Sequence, residues 1–385
     1  MTGSFLSNTT STNSLFSLDN SNFSSLVLND LDYYYQTDEI TEKPLIDSFR
    51  RDSILTFDCN SISNNIIKER NEKIAFILVG LPASGKSTIS SHLIQYLKGN
   101  ELTKILRCSI FNAGKVRRSF SKLGSYPMKL ANNSSDDLFN PKNSDKKEKY
   151  ARITLQKLFD DIDSDNCDVA IFDATNSTIM RRKFIFDEFC SYNSKPSSNF
   201  HITPIIFQVA CSNKDFVKYN IHNKSFNEDY FDKPYEYAIS DFAKRLKYYY
   251  SQFTPFNLEE YNEIVKELLD NDSDHGLYYF SVTDAGLAST DDDKLCHYDR
   301  DCSEFVRDVI DYITHFVDNY TILFGYEYIG RVKAFFMERK ETKNQTNNDC
   351  ILNNLSDCLT TLDKTINQTY FDELQKYTEI IETKM

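Results

Sequence analysis

The 385-residue chain has no pair of cysteines at C-x-x-C spacing and no group with metal-ligand spacing, so it carries no sequence sign of a structural zinc site or a dithiol motif. Its nine cysteines, at positions 59, 108, 167, 190, 211, 296, 302, 350 and 358, are scattered and odd in number, which suits reduced thiols in the cytosol. The opening residues, MTGSFLSNTTSTNSLFS, lack a basic leader followed by an apolar core, and no later run approaches membrane-spanning length. A cytoplasmic protein with no membrane partner is therefore expected. Basic charge is also in short supply. A net charge of −13 and a pI near 5.0 argue against a nucleic-acid-binding surface as the chain's main business. There is no internal repeat at a solenoid period.

Against this background one stretch stands out, IAFILVGLPASGKSTISSHLIQYLKG, from Ile74 to Gly99. Ile74, Ala75, Phe76, Ile77, Leu78 and Val79 form a continuous apolar run of strand length, as a parallel strand buried on both faces requires. The residues Gly80, Leu81, Pro82, Ala83, Ser84, Gly85, Lys86, Ser87 and Thr88 then satisfy the G-x-x-x-x-G-K-S/T phosphate-loop pattern. Ile89, Leu93, Ile94 and Leu97 follow at helical spacing, with Gly99 as a stop. In such a loop backbone amides curl around phosphate oxygens at a helix N-terminus, the lysine reaches the β- and γ-phosphates, and the serine ligates Mg²⁺. The alternative is a glycine-rich turn with one solvated lysine.

From Lys73 onward strands and helices alternate. Strands are expected at 103–111, 168–172, 203–210 and 277–282. Helices are expected around 148–162, 180–190, 235–250 and 303–317. This order predicts an α/β fold of the P-loop NTPase type, a mostly parallel sheet with helices on both faces and ligands beyond the strand carboxyl ends. Three regions follow: residues 1–72, a Ser/Asn-rich segment expected to be disordered and regulatory; 73–318, a catalytic domain; and 319–385, a polar tail with little sign of a core. In the first, Ser53 follows Arg50-Arg51 at the spacing that basophilic protein kinases favour, which makes such a kinase a candidate partner. A homodimer is a further candidate assembly.

The chemistry concentrates in four motifs. Asp173 ends the apolar run of VAIFDATNSTIMRR, where this architecture puts a Mg²⁺-associated carboxylate. An aspartate that merely caps the next helix is the alternative. Thr175 and Asn176 follow, and Arg181-Arg182 begin a helix near the same strand end, suited to grip a second anion through paired hydrogen bonds. Between Arg107 and Ser135 lie six basic residues and no acidic one, including Arg117 and Arg118 in FNAGKVRRSF. A solvated face would also explain that island. The helix DFAKRLKYYY adds Lys244, Arg245 and Lys247. Three basic clusters in an acidic chain suggest a phosphorylated small substrate beside ATP.

In this order and at these separations, GLPASGKS, FNAGKVRR, FDATNSTIMRR and DFAKRLKYYY resemble the kinase domain of the 6-phosphofructo-2-kinase/fructose-2,6-bisphosphatase family, from about Lys73 to Val317. FDATN with the downstream arginine pair is far more specific than the phosphate loop. The resemblance implies a nucleoside-monophosphate-kinase-like fold. It also implies transfer of the γ-phosphoryl group of MgATP to the 2-hydroxyl of fructose 6-phosphate, which makes fructose 2,6-bisphosphate, a regulator of glycolysis. ATP and Mg²⁺ are then the expected cofactors. The nucleotide loop falls on Gly80 to Thr88, with Lys86 catalytic, and the catalytic aspartate on Asp173, which with Ser87 would organise the metal. Sugar-phosphate contacts fall on Arg117, Thr175, Arg181, Arg245 and Tyr249. The nucleotide-side asparagine falls on Asn220, and the cysteine near the nucleotide, a candidate catalytic residue, falls on Cys211, which as a residue could equally be a small buried apolar group.

Two matches depart from the family pattern. Lys224 takes the place of a lysine contacting nucleotide and sugar phosphate only if one residue is deleted after Asn220. Lys147 stands where an arginine is expected, keeping the charge but losing the fork. The family's histidine phosphatase opens with an R-H-G triplet, which the sequence does not contain. A kinase-only member of the type found in fungi is therefore expected. Two alternatives remain: a P-loop kinase for a different phosphorylated or anionic acceptor, and a catalytically silent nucleotide-binding regulator.

Overall fold

Alternation along β1 (Glu72–Val79) decides which side of the molecule each of its residues builds. Ile74, Phe76 and Leu78 enter one apolar cluster, with Ile89, Leu93 and Leu97 of α1 (Lys86–Lys98) and with Val309, Ile313 and Phe316 of a late helix. Ala75 and Ile77 enter the opposite cluster, with Leu155, Leu158 and Ile162. Both faces are covered, which is why the strand reads as a continuous apolar run. The computed structural model describes residues 71–123, 144–270, 276–288, 293–298, 302–342 and 350–382. Ser53, and the 1–72 segment up to residue 70, lie outside the described residues.

Five strands run parallel: β1, β2 (Cys108–Asn112), β3 (Val169–Asp173), β4 (His201–Ala210) and β5 (Leu277–Thr283). A short β6 (Lys294–His297) adds antiparallel to β5, and the order is β2-β3-β1-β4-β5-β6. From β1 the chain moves out to β2, returns to β3 beside β1, then crosses to β4 on the other side. The carboxyl end of β1 is thus the switch point where ligands bind in sheets of this kind.

The helices are α2 (Ala113–Leu123), α3 (Ser144–Asp163), α4 (Ile179–Asn193), α5 (Lys214–Lys224), α6 (Tyr235–Tyr250), α7 (Leu258–Asp270) and α8 (Glu304–Asp318). Beyond these lie α9 (Tyr326–Thr342), α10 (Cys350–Thr365) and α11 (Gln368–Glu382). Ser303 caps α8 through its side chain, which accepts from the Val306 amide at 3.2 Å. The strand expected from residue 103 begins only at Cys108. Before it the chain turns, with the Asn100 side chain accepting from Leu102 N at 3.1 Å and Thr103 Oγ1 donating to Leu97 O at 2.6 Å.

The polar stretch after Asn319 is not a coreless tail. Leu362, Ile366, Tyr370 and Leu374 are buried with Val217 and Ile221 of α5 and Ala238, Ile239, Phe242 and Leu246 of α6. These residues come from α10, from the link at Ile366 and from α11, so the two helices together cover α5 and α6.

At the amino edge of the sheet, Lys73 is fully buried and donates to Asp165 at 2.6 Å and Asp168 at 2.8 Å. Arg107, first residue of the basic island, bonds the same two carboxylates at 2.6 and 2.7 Å. The island is therefore not one surface. Arg107 serves the amino end of the sheet and Arg117 the carboxyl end.

Candidate active site

The phosphate loop leaves β1 at Val79 and is shaped by close approach. A Cβ at Gly80 would lie 2.4 Å from the Val209 carbonyl oxygen of β4, so only glycine fits. The Gly80 amide donates to Thr175 O at 3.1 Å, tying the loop to the chain beyond β3. Gly85, at φ 100°, is the N-cap of α1 and offers no side-chain acceptor to the first-turn amides. That combination of left-handed backbone and uncapped helix start is suited to an anion.

Lys86 folds back over this loop. Its Nζ donates to Gly80 O at 2.9 Å and Leu81 O at 2.6 Å, and burial of the ammonium lowers its pKa to about 8 despite the attraction of Asp173. Ser87 Oγ donates to Asp173 Oδ2 at 3.1 Å. Asn112 Nδ2 donates to the same oxygen at 2.6 Å, a contact that follows from register, because Asn112 and Asp173 are partners at the ends of β2 and β3. Asp173 is not a helix cap: Thr178 caps α4, accepting from the Arg181 amide. Among the described residues no three His, Cys, Asp or Glu side chains converge as a metal cage. A hydroxyl beside one carboxylate instead fits Mg²⁺, a hard cation that keeps waters and takes phosphate oxygens.

The expected basic clusters are sorted by the fold. Arg117 of α2 donates to Asp229 at 2.6 and 2.7 Å, and Arg245 of α6 reaches the same carboxylate at 3.4 Å. Burial would raise the Asp229 carboxyl, but Arg117 and Arg245 hold it below its usual range. Tyr249, one helical turn beyond Arg245, hydrogen-bonds Thr175 and lies within the field of Arg117 and Arg245. Lys147 of α3 stands 4.1 Å from the Tyr248 ring centre and 5.3 Å from that of Tyr249. Burial and the neighbouring charge of Arg181 lower Lys147 to about 8. Arg181 forks onto Glu148 at 2.9 and 3.0 Å. Lys224 is lowered by burial and stands in the field of Asp173, Arg118 and Asp229, between the loop and the arginines.

Arg182, Lys244 and Lys247 do not join this group. Arg182 is 1% exposed and points into the core, paired with Glu260 at 2.8 Å and donating to Asn176 O and Thr254 O. Lys244 is exposed, and Lys247 pairs with Glu373 of α11. Neighbours on a helix are about 100° apart, so adjacent basic residues seldom share a target.

Beside the loop a pocket is walled by Val209, Cys211, Phe216 and Val282, with Asn220 and Tyr328 at its polar edge. Burial, reinforced by Asp284, pushes the Cys211 thiol well above its ordinary value. It is suited to an apolar wall rather than a reacting group. Asn220 Nδ2 donates to Ala83 O at 2.8 Å. Asp284, just past β5, accepts from the Ser212 and Asn213 amides at 2.8 and 2.9 Å, and Asn213 in turn caps α5, which carries Asn220 and Lys224. Sequence reading missed Asn112, Asp229, Asp284 and Tyr328. Only Asn112, ending an apolar run as Asp173 does, left a local signal.

A phosphate loop at the switch point of a mostly parallel sheet makes this a P-loop kinase fold. Within that class the chain belongs to the 6-phosphofructo-2-kinase family, whose model matches residues 62–284, over half of the sequence. It is 31% identical over 202 residues to 6-phosphofructo-2-kinase 1 of Saccharomyces cerevisiae, covering 52% of this chain and 23% of that one. A probable 6-phosphofructo-2-kinase of Schizosaccharomyces pombe is 32% identical over 206 residues, 51% of this chain and 28% of that one. The 6-phosphofructo-2-kinase/fructose-2,6-bisphosphatase of Caenorhabditis elegans is 29% identical over 215 residues, 54% and 41% of the two chains. The chain thus spans less than half the length of these curated relatives.

Proposed function

We propose that this chain transfers the γ-phosphoryl group of ATP to the 2-hydroxyl of fructose 6-phosphate, giving fructose 2,6-bisphosphate and ADP. The observation that carries the reading is the meeting, at one end of the sheet, of the Lys86–Ser87–Asp173 group with Arg117, Thr175, Arg245 and Tyr249, in a member of this family.

Ser87 and Asp173 would hold Mg²⁺, which when bound would neutralise phosphate charge. The loop amides from Gly80 to Thr88 bind the phosphate chain, and Lys86 exchanges its two carbonyl acceptors for phosphate oxygens. Arg117, Arg245 and Lys147 hold the 6-phosphate, with Arg181 and Lys224 adding positive charge at its flanks. Thr175 and Tyr249 orient the sugar so that its 2-hydroxyl faces the γ-phosphorus. Asp173, held by Asn112, accepts a hydrogen bond from that hydroxyl and aligns it. Positioning and charge carry the catalysis, because the transition state is loose and asks little covalent chemistry of the protein.

A cytosolic setting, regulation by a protein kinase at Ser53 and a homodimer belong to the same reading. Among the described residues no helix is long and apolar enough to cross a membrane. The test is an acceptor series with MgATP. Fructose 6-phosphate should be phosphorylated far faster than fructose, glucose 6-phosphate or a nucleoside monophosphate. Equal rates with fructose would remove the arginine group from substrate recognition.

A further inference from the structure

The sheet is not the phosphate loop's only support. Ala83, whose backbone is left-handed at φ 62°, is buried in the same apolar cluster as Leu362, Ile366, Tyr370 and Leu374, and Leu81 packs against that cluster. The Ala83 carbonyl accepts from Asn220 Nδ2 at 2.8 Å, and Oδ1 of the same amide accepts from Tyr328 Oη at 3.0 Å. Tyr328 lies on α9, well beyond residue 284, where the family match ends. A second tie runs from the same region to α1: Tyr320 Oη meets His92 Nδ1 at 2.9 Å, and burial, helped by Arg331, lowers His92 to about 4, so its ring is neutral. Tyr320 and Tyr328 both line the pocket beside the loop.

We propose that Tyr328 is a positioning residue for the nucleotide site, acting through Asn220 on the Ala83 carbonyl, and that the helices beyond residue 319 are part of that site. The inference rests on the phosphate-loop reading above. A non-glycine residue in the left-handed region carries strain and persists only where its surroundings over-determine it. Here two devices do so: the apolar cluster fixes the Ala83 side chain, and the Tyr328–Asn220 link fixes its carbonyl. An amide bonded at both ends has one orientation, so the loop amides on either side of Ala83 are presented to phosphate in one arrangement. Without the tyrosine hydroxyl the amide can turn, and the loop samples arrangements that bind phosphate poorly.

The test uses the full chain. Wild type, Tyr328→Phe, Asn220→Ala, the double variant and Lys86→Met are titrated with MgADP by calorimetry, and thermal unfolding is followed without nucleotide. Tyr328→Phe keeps the ring and removes one hydrogen bond, so the MgADP Kd and the KM for MgATP should rise together by roughly three- to tenfold. The KM for fructose 6-phosphate and the unfolding temperature should change little. If the link acts as one unit, adding Asn220→Ala to Tyr328→Phe costs less than Asn220→Ala costs alone. Wild-type MgADP affinity in Tyr328→Phe, or full additivity in the double variant, overturns the proposal. So does a fall in unfolding temperature with no change in affinity, which would mark the hydroxyl as merely structural. Wild type binding MgADP no better than Lys86→Met would instead refute the phosphate-loop reading itself, and the inference with it.

Discussion

The two ends of the central sheet treat enclosed charge in opposite ways. At the amino edge Lys73 and Arg107 meet Asp165 and Asp168, and although burial would raise the Asp168 carboxyl, hydrogen bonds from Arg107 and Lys73 hold it below its usual range. At the carboxyl edge the Lys86 ammonium touches two backbone carbonyls, and burial drags it down to about 8. In the first cluster each cation touches a carboxylate, whereas Lys86 touches carbonyls and feels Asp173 only through its field. At Lys86 it is this incomplete neutralisation, not the density of charge, that suits an anionic ligand. Neighbouring residues differ in place rather than in pairing: Arg182 is buried in the core with Glu260, while Arg181 pairs with the half-exposed Glu148 at the site.

Substituting each side of this comparison should give opposite phenotypes. The largest effect on turnover is expected for Lys86→Met, which removes a charge that stabilises the transferring phosphoryl group and should lower kcat by about a hundred- to a thousandfold. Thermal unfolding should show that the variant still folds, since the side chain acts on phosphate charge rather than on packing, although the Gly80 and Leu81 carbonyls lose their donor. Arg182→Met should do the reverse, leaving Glu260 buried without its partner. A stability loss of about 3–5 kcal/mol in urea titrations is expected, with the KM for fructose 6-phosphate in the surviving folded fraction near normal.

Next in size is Arg117→Ala. A charge-assisted hydrogen bond is worth about 1.5–3 kcal/mol, so the KM for fructose 6-phosphate should rise about ten- to a hundredfold while the KM for ATP moves much less. Steady-state kinetics with each substrate varied in turn reads this directly. A smaller, pH-dependent effect belongs to Lys147. With its pKa lowered to about 8, its ammonium is charged below that pH and lost above it. The sugar-phosphate KM should therefore rise severalfold between about pH 7 and pH 9, and Lys147→Arg, which stays charged, should flatten the profile. The smallest effect is expected for Lys244→Ala. Its side chain is exposed, and neither KM should change beyond error.

What could be read from the sequence follows the range of the interactions. The loop from Gly80 to Thr88, its strand and its helix are consecutive, and Asp173 ends an apolar run, so local pattern was enough. The helix at Tyr235–Tyr250 was legible to the residue, preceded as it is by Pro234. Asn112 reaches Asp173 through strand register, and Asp229 meets Arg117 across 112 positions. No pattern in a single stretch encodes either. The basic residues misled where nearness in sequence was taken for nearness in space, as with Arg182, Lys244 and Lys247. The region after Asn319 misled because its partner surface is far away in sequence, and only α5 and α6 reveal what Leu362 and Ile366 pack against.

The central claim is that the carboxyl end of the sheet moves a phosphoryl group to a sugar phosphate. The most direct measurement is a single-turnover reaction of the full chain with Mg²⁺, ATP labelled in its γ-phosphate and fructose 6-phosphate, with the labelled product then exposed to mild acid. The account predicts label in a sugar bisphosphate, released by acid to regenerate fructose 6-phosphate, and no such product from Lys86→Met. Label appearing only as inorganic phosphate, or in an acid-stable product, would contradict it.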